Sequence, residues 1–381
     1  MEKKKIYSVI VFLILSLVIV NSVILIGAND KVNNKNLKSI IKIFENENSH
    51  NDFVGFDEEL DKGFDNDGGE LDIDGGRKKL PNPKHGDGPS ETAMSVQRAR
   101  SGVVIEQSSR RVLLGENMNE KCYPASTTKV LTALVVLNSL PLDKVITVPK
   151  QAEGVEGSSI YLRAGQKITV EDLLLGLMLR SGNDSAVTLA IAASGSVESF
   201  AELMNKTARE LGADSSNFVN PHGLHDDNHY TTAYDLALIT AKAYENPDFV
   251  RIVSTKKAKI TIDGEAHYIG NKNKMLTLYE GANGVKTGYT KKSGRCLVSG
   301  AERGGMQLIS VVLNYNDMWN DSMRLLNYGF ENFEMTSYEN AFVNKNDSAK
   351  AIEITGTQID PENFRYPLRR DGSEYLVLKS V

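Results

Sequence analysis

Two cysteines in 381 residues exclude a disulfide-built scaffold and a four-thiolate zinc site. Positive charge is in no excess: 44 Lys and Arg stand against 49 Asp and Glu, a net charge of −5. That gives no overall electrostatic footprint for nucleic acid, and none is expected as a partner. The H-E-x-x-H zinc motif is absent. So is the full EF-hand pattern; Asp65-Asn-Asp67-Gly-Gly-Glu70 carries only part of it and reads as a solvated spacer. No internal repeat is visible. The length leaves room for one large domain or two ordinary ones, but the composition is not uniform.

Residues 6–27 run for 22 positions without a formal charge, behind Lys3, Lys4 and Lys5. Basic residues ahead of an apolar run of that length send the downstream chain across a membrane. The run exceeds the core of an ordinary signal peptide, and Gly27-Ala28-Asn29 is a poor cleavage site. Residues 1–27 are therefore expected to be an uncleaved signal anchor, with cleaved secretion as the alternative. Residues 28–94 have another texture. The stretch 45–76 alone holds twelve acidic residues and one lysine, and Pro81, Pro83 and Pro89 come after it. High charge and few apolar side chains cannot offset the entropy of ordering, so this segment reads as an acidic disordered linker. Without 45–76 the rest of the chain is +6.

From residue 95 the pattern becomes that of a folded α+β domain. Strands are expected at 102–106 and 111–115 around a polar turn. A helix is expected at 126–139, with Val130, Ala133, Leu134 and Leu137 at helical spacing. Thr169 and Asp172 resemble a capping box ahead of Leu173, Leu174, Leu177 and Met178. Ser196 opens a further helix that Gly212 stops, and 232–244 is another. Asp263-Gly264 marks a hairpin. Strands at 285–290, 296–301 and 306–313 precede a helix at 319–330.

Ser126-Thr-Thr-Lys129 places a hydroxyl and an amine on one face at the start of a helix. A serine hydroxyl is a weak nucleophile until a base takes its proton, and a lysine whose pKa is lowered can be that base. Alone the pattern means little, since S-x-x-K also occurs at Ser39 and Ser254. Ser181-Gly-Asn183 and Lys286-Thr-Gly288 come later in the chain at separations of 55 and 105 residues, in the order of the β-lactamase and penicillin-binding signature.

On these motifs, with Pro124, Gly157-Ser-Ser, Asp184, Asn220-Pro-His-Gly-Leu224 and Tyr289, the chain resembles the low-molecular-mass penicillin-binding proteins, the serine-type D-alanyl-D-alanine carboxypeptidases. The resemblance covers 95–333. It implies a penicillin-recognising transpeptidase/β-lactamase-like fold, a five-stranded antiparallel sheet between helical clusters. It implies Ser126 as nucleophile, Lys129 as base and Ser181 as proton relay. Asn183, Lys286, Thr287, Gly288 and Tyr289 would bind substrate, with the N–H groups of Ser126 and Tyr289 as oxyanion hole. Peptidoglycan stem peptides would be substrates and β-lactams covalent inhibitors. No metal or cofactor is expected: His222, His225 and His229 fall among Pro221, Gly223 and two aspartates, a loop rather than an aligned helical pair.

Relatives of the class A β-lactamase type use a glutamate beyond the second motif to activate the deacylating water. Residues 215–224 hold no carboxylate, with Glu210 and Asp214 lying before them, so fast penicillin hydrolysis is not expected. D,D-endopeptidase action on cross-links uses the same residues and stays open, as does an inactive wall-binding or β-lactam-sensing scaffold. Cys122 and Cys296 fit either a disulfide or two small buried residues. The family's carboxylate-binding arginine has no clear counterpart; Met318 stands near its place, and Arg295 or Arg324 are the candidates to replace it. Residues 334–381 are expected to form an abbreviated β-rich domain. The localisation expected is the cell membrane, with the catalytic domain extracytoplasmic.

Overall fold

The computed structural model describes residues 100–355 and 360–379. The expected anchor, the acidic linker and the Asp65 cluster lie outside the described residues.

Strands β1 (Ser101–Glu106) and β2 (Val112–Glu116) form the first hairpin. Its turn is closed by the Glu106 carboxylate, which accepts the N–H groups of Ser108 and Ser109. A 3-10 turn (Ala125–Thr128) then leads into α1 (Lys129–Ser139). A small ribbon, β3 (Val145–Thr147) with β4 (Lys167–Thr169), runs into α2 (Val170–Leu175). The Thr169 hydroxyl accepts the Asp172 N–H at 3.1 Å, satisfying one orphan donor of that helix. A π-helical turn (Gly176–Arg180) ends α2, and α3 (Asn183–Ser194) begins just beyond it. Side-chain caps also start α4 (Val197–Glu210) at Ser196, α5 (Ala233–Ala243) at Thr232 and α6 (Pro247–Ser254) at Asn246.

Hairpin β5 (Lys257–Ile262)–β6 (Glu265–Gly270) turns at Asp263 and Gly264, both in the left-handed region that a two-residue hairpin turn requires. The short α7 (Met275–Leu278) precedes three long strands, β7 (Ala282–Thr290), β8 (Gly294–Arg303) and β9 (Met306–Tyr315). Then come α8 (Met318–Asn332), β10 (Phe333–Ser337), α9 (Tyr338–Ala341), β11 (Lys350–Thr355), β12 (Arg365–Arg369) and β13 (Glu374–Lys379).

The main sheet has the order β2-β1-β9-β8-β7, antiparallel throughout. Both of its faces are covered, and the period-two alternation of the strands sorts their residues between two cores. Ile309, Val311 and Leu313 of β9 join Val103 and Ile105 in the large core with α1 to α6. Leu308 and Val312 join Val104 in a second core, where Leu325 and Leu326 of α8 meet them. β7 is left at the edge, facing the 3-10 turn that opens α1.

After residue 333 the chain makes two two-stranded sheets, β10 with β12 and β11 with β13, over a small core of Ala341, Leu368 and Leu376. Arg111, ahead of β2, ties this part down. Its guanidinium donates to both Glu374 carboxylate oxygens at 2.8 and 2.7 Å and lies over the rings of Phe333 and Tyr366.

Candidate active site

Ser126 sits in the tight turn before α1. Ala125, ahead of it, holds a φ of +49°, a region that costs a non-glycine residue of order 1–3 kcal/mol. The turn is locked from within: Thr127 Oγ1 donates to the Pro124 carbonyl at 2.6 Å and Thr128 Oγ1 to the Ala125 carbonyl at 2.8 Å. One turn on, Lys129 is fully buried, with Nζ 3.0 Å from Ser126 Oγ.

Two further acceptors surround that nitrogen, Asn183 Oδ1 and the carbonyl of His222, each at 2.7 Å. Burial first, and then the charge of Lys286, hold the Lys129 pKa well below the usual lysine range. As a neutral amine, Lys129 keeps two N–H donors and one lone pair. With the two fixed carbonyl oxygens taking both donors of that form, its lone pair is left to point at Ser126 Oγ. That is the arrangement a general base requires.

Asn183 cannot easily turn its amide over, because Nδ2 donates to the Glu156 carbonyl at 2.5 Å. Ser181, two residues earlier, is buried at the exit of the π-helical turn with φ +67°. A Cβ at Gly182 would stand 2.8 Å from Asp184 Oδ1 and Ser185 Oγ, so both side chains pack closely on the turn into α3.

The edge strand β7 supplies the opposite wall. Lys286 is buried, and its Nζ donates to the Thr287 carbonyl at 3.1 Å. Burial and the charge of Lys272 bring its pKa down to about 7. Thr287 is half-buried and Tyr289 exposed. Gly288 lies against the turn that carries Ser126, where a Cβ would stand 3.0 Å from the Ser126 backbone nitrogen and 3.1 Å from that of Thr127. An edge strand has N–H groups that its single neighbour does not take, and here they border the turn that carries Ser126.

The structure thus gathers Ser126, Lys129 and Asn183 into direct contact, with Lys286 acting on Lys129 through its charge and Gly288 packed on the turn. Ser181 enters through the same segment as Asn183. Of the other S-x-x-K matches, Ser254 ends α6 and Lys257 opens β5, so they share no helix face; Ser39 lies outside the described residues.

Sequence reasoning passed over three participants. The His222 carbonyl binds Lys129, Lys272 adds positive charge near both lysines, and Asp184 organises the segment beside Asn183. The Asn-Pro-His-Gly run was the available signal for the first.

The histidines serve the loop. His229 Nδ1 accepts the Val219 N–H at 3.1 Å, which makes Nε2 the protonated nitrogen, 2.8 Å from Thr128 Oγ1. His222 Nδ1 accepts the Leu224 N–H at 3.1 Å. Cys122 and Cys296 are both buried thiols, pushed up by burial to about 11 and about 12. Arg295 stands opposite Tyr289 in the β7–β8 register, and its guanidinium donates to the Asn316 carbonyl at 2.9 Å. Arg324 instead pairs with Asp321 at 2.9 Å on α8. Glu210 is exposed beside Lys206, and Asp214 is exposed too.

Residues 89–317 match the D-alanyl-D-alanine carboxypeptidase family. The chain is 35% identical over 227 residues to D-alanyl-D-alanine carboxypeptidase DacF of Bacillus subtilis, covering 58% of each. It is 36% identical over 252 residues to DacC of Escherichia coli, covering 62% of each. It therefore spans about three-fifths of the length of these curated relatives. Among solved structures, a mutant Streptomyces DD-transpeptidase superposes with a TM-score of 0.58 at 32% identity, over 64% of this chain and all of that one. The D-alanyl-D-alanine carboxypeptidase DacD of Francisella tularensis, at 24% identity and a TM-score of 0.60, has the same fold across 74% of this chain and 84% of its own. The five-stranded sheet between helical layers is that of the penicillin-recognising DD-peptidases, and by the match over 89–317 this chain belongs to the D-alanyl-D-alanine carboxypeptidase family.

Proposed function

We propose that the protein is a serine D-alanyl-D-alanine carboxypeptidase that removes the terminal D-alanine from peptidoglycan stem pentapeptides. The observation that carries this reading is the buried Lys129 amine, 3.0 Å from Ser126 Oγ and 2.7 Å from both Asn183 Oδ1 and the His222 carbonyl, with a pKa held well below the usual lysine range.

In this mechanism Ser126 Oγ attacks the carbonyl of the penultimate D-alanine while Lys129 takes the hydroxyl proton. The oxyanion forms against the N–H groups of Ser126 and Tyr289, where one donor is worth about 3 kcal/mol. Ser181 relays the proton from Lys129 to the amine of the departing D-alanine as the C–N bond breaks, which returns Lys129 to its neutral form. Lys286 and Thr287 hold the terminal carboxylate, and Asn183 holds the peptide. Water then hydrolyses the Ser126 ester. A β-lactam enters the same way, but its ring-opened acyl group stays attached and blocks release. The absence of a carboxylate in 215–224 supports slow rather than fast turnover of that adduct.

The proposed location is the outer side of a cell membrane, held by residues 1–27, with no nucleic-acid partner. Support for this comes from the basic start and the apolar run.

The test is mass spectrometry of a stem pentapeptide and a cross-linked dimer incubated with the full chain. Loss of one D-alanine from the pentapeptide is expected, and the Ser126→Ala variant should release none. Folded wild-type protein that leaves both substrates intact would refute the proposal, and cleavage confined to the dimer would make the enzyme an endopeptidase.

A further inference from the structure

Asp184 is 1% exposed, and most of the hydrogen bonds to its carboxylate come from one segment of chain. Oδ2 accepts the Ser159 hydroxyl at 2.6 Å and the Leu162 N–H at 3.0 Å. The Ile160 N–H reaches both oxygens, at 3.2 and 3.1 Å, and Oδ1 also accepts the Ser185 N–H at 2.9 Å. Ser159 Oγ in turn accepts the Tyr161 N–H at 2.7 Å, which fixes the direction of its own proton toward the carboxylate. Asn183, the neighbour of Asp184, grips the other end of the same segment. Its backbone N–H donates to the Ser158 carbonyl at 2.7 Å and its Nδ2 to the Glu156 carbonyl at 2.5 Å. Residues 156–162 are thus a strap suspended from 183 and 184, pressed close enough that a Cβ at Gly157 would lie 2.8 Å from Asn183 Nδ2.

The connection runs on to the nucleophile. The Glu156 carbonyl decides which end of the Asn183 amide faces Lys129, because only the oxygen can accept from Nζ. If the strap loosens, the amide is free to present its NH2 group instead, and the lone pair of Lys129 is drawn away from Ser126. We infer that Asp184 is a positioning residue for acylation: it suspends the 156–162 strap, which fixes the Asn183 amide and through it aims Lys129 at Ser126. This goes beyond the proposed activity but rests on the same acylating serine.

The experiment uses the full chain and a fluorescent penicillin as acylation probe, with Asp184→Asn, Ser159→Ala and the double variant. Asp184→Asn should slow acylation by roughly 100-fold, the scale of a small misplacement of reacting groups. Ser159→Ala removes a single strap bond and should cost roughly 5-fold. Because both act through one strap, the double variant should fall no further than Asp184→Asn. Charge separates the two singles. Lys129 is faced by Lys286, Lys272, His222 and His229 as well as Asp184, and loss of that carboxylate should move the acid limb of acylation to lower pH. Ser159→Ala should leave the limb in place. Acylation at the wild-type rate in either single variant, or losses that multiply in the double, would overturn the inference. Should Asp184→Asn fail to fold, Ser159→Ala decides it alone. Wild-type protein that takes the probe yet releases no D-alanine would sink the proposed function and leave this inference standing.

Discussion

Lys129 and His222 meet through a side-chain nitrogen and a backbone carbonyl, 2.7 Å apart. Any residue type offers a carbonyl, so the contact depends on where the loop is held, not on the imidazole. Asn220 holds it, accepting the Gly223 N–H at 2.7 Å and donating to the Leu224 carbonyl at 3.0 Å. Thr132 Oγ1 adds a bond to the Pro221 carbonyl at 2.6 Å.

Gly223 is the weak point of that loop. Its φ is +86°, and a Cβ there would overlap the carbonyl of Ala125. Gly223→Ala should therefore drive the loop off the turn that carries Ser126 and withdraw the His222 carbonyl from Lys129. Acylation by penicillin should fall by roughly 100-fold, with stability lowered by about 2 kcal/mol. His222→Ala keeps the carbonyl and should acylate far faster than Gly223→Ala. Stopped-flow acylation rates with a melting curve on each variant check this; equal rates for the two would show that the carbonyl is not what matters.

Lys286 predicts an alkaline limb. Its pKa is brought to about 7, so its charge is present below that pH and lost as the pH rises through it. For a substrate with a free carboxylate, kcat/KM should decline above about pH 7, because the charge proposed to hold that carboxylate disappears. Arginine does not titrate in this range. Lys286→Arg should flatten the alkaline limb even if it lowers the maximum, as read from kcat/KM on either side of neutral pH. A limb that persists unchanged in the arginine variant would remove Lys286 from carboxylate binding.

Much of the fold was legible because local signals agreed with the tertiary ones. Thr169, Ser196 and Thr232 each cap the helix their positions predicted, and Asp263-Gly264 makes the expected hairpin turn. Helix α6 was missed although Asn246-Pro247 is a cap with a first-turn proline behind it. It is eight residues long and runs at once into a strand, so its apolar positions Phe249, Ile252 and Val253 show too little periodicity to stand out. The π-helical turn before Ser181 has no composition of its own to announce it.

In the site, the hydroxyls and amines were legible since only certain side chains do that chemistry. The Glu156 and His222 carbonyls were not, because a backbone oxygen carries no residue identity and its position depends on the packed loop. Asp184 directly follows Asn183 of the second motif, yet its partners Ser159, Ile160 and Leu162 lie more than twenty residues away in the chain. Their meeting is a product of how α3 lies beside the segment that precedes β4.

His229 sets a limit on acid stability. Burial pulls its pKa down to about 4, against an ordinary 6.5. Below pH 6.5 the unfolded chain binds the proton that the folded loop refuses, so stability falls as the pH drops from about 6.5 to about 4. The difference is on the order of 3 kcal/mol from this residue. His222, held near 3 by burial, adds to the same trend. Urea unfolding at about pH 7 and about pH 4.5 should show this loss in the wild type. His229→Gln should be less stable at neutral pH, having given up one hydrogen bond to Val219 or Thr128, but its stability should change less between the two pH values. A loss with acid as large as that of the wild type would place the acid sensitivity elsewhere.

Arg111 and Glu374 predict how the last strands are held. Their side chains are only 12% and 11% exposed, and the two charges lie 2.7 Å apart. Cutting away one member of such a pair strands the other charge where water does not reach it, which typically costs about 3–5 kcal/mol. Arg111→Ala also gives up the stacking of the guanidinium on Phe333 and Tyr366. The strands β12 and β13 should then open before the main sheet does, since their own core is only Ala341, Leu368 and Leu376 with a few half-buried neighbours. Hydrogen exchange should show faster exchange across β10 to β13 in this variant, while β8 and β9 keep wild-type protection. Penicillin acylation should be nearly unchanged, because no residue contacting Lys129 belongs to those strands. Arg111→Met combined with Glu374→Leu should recover part of the stability by removing both charges together, whereas Glu374→Leu alone should behave like Arg111→Ala. If the double variant is less stable than either single, the pair contributes net attraction beyond the avoidance of a stranded charge.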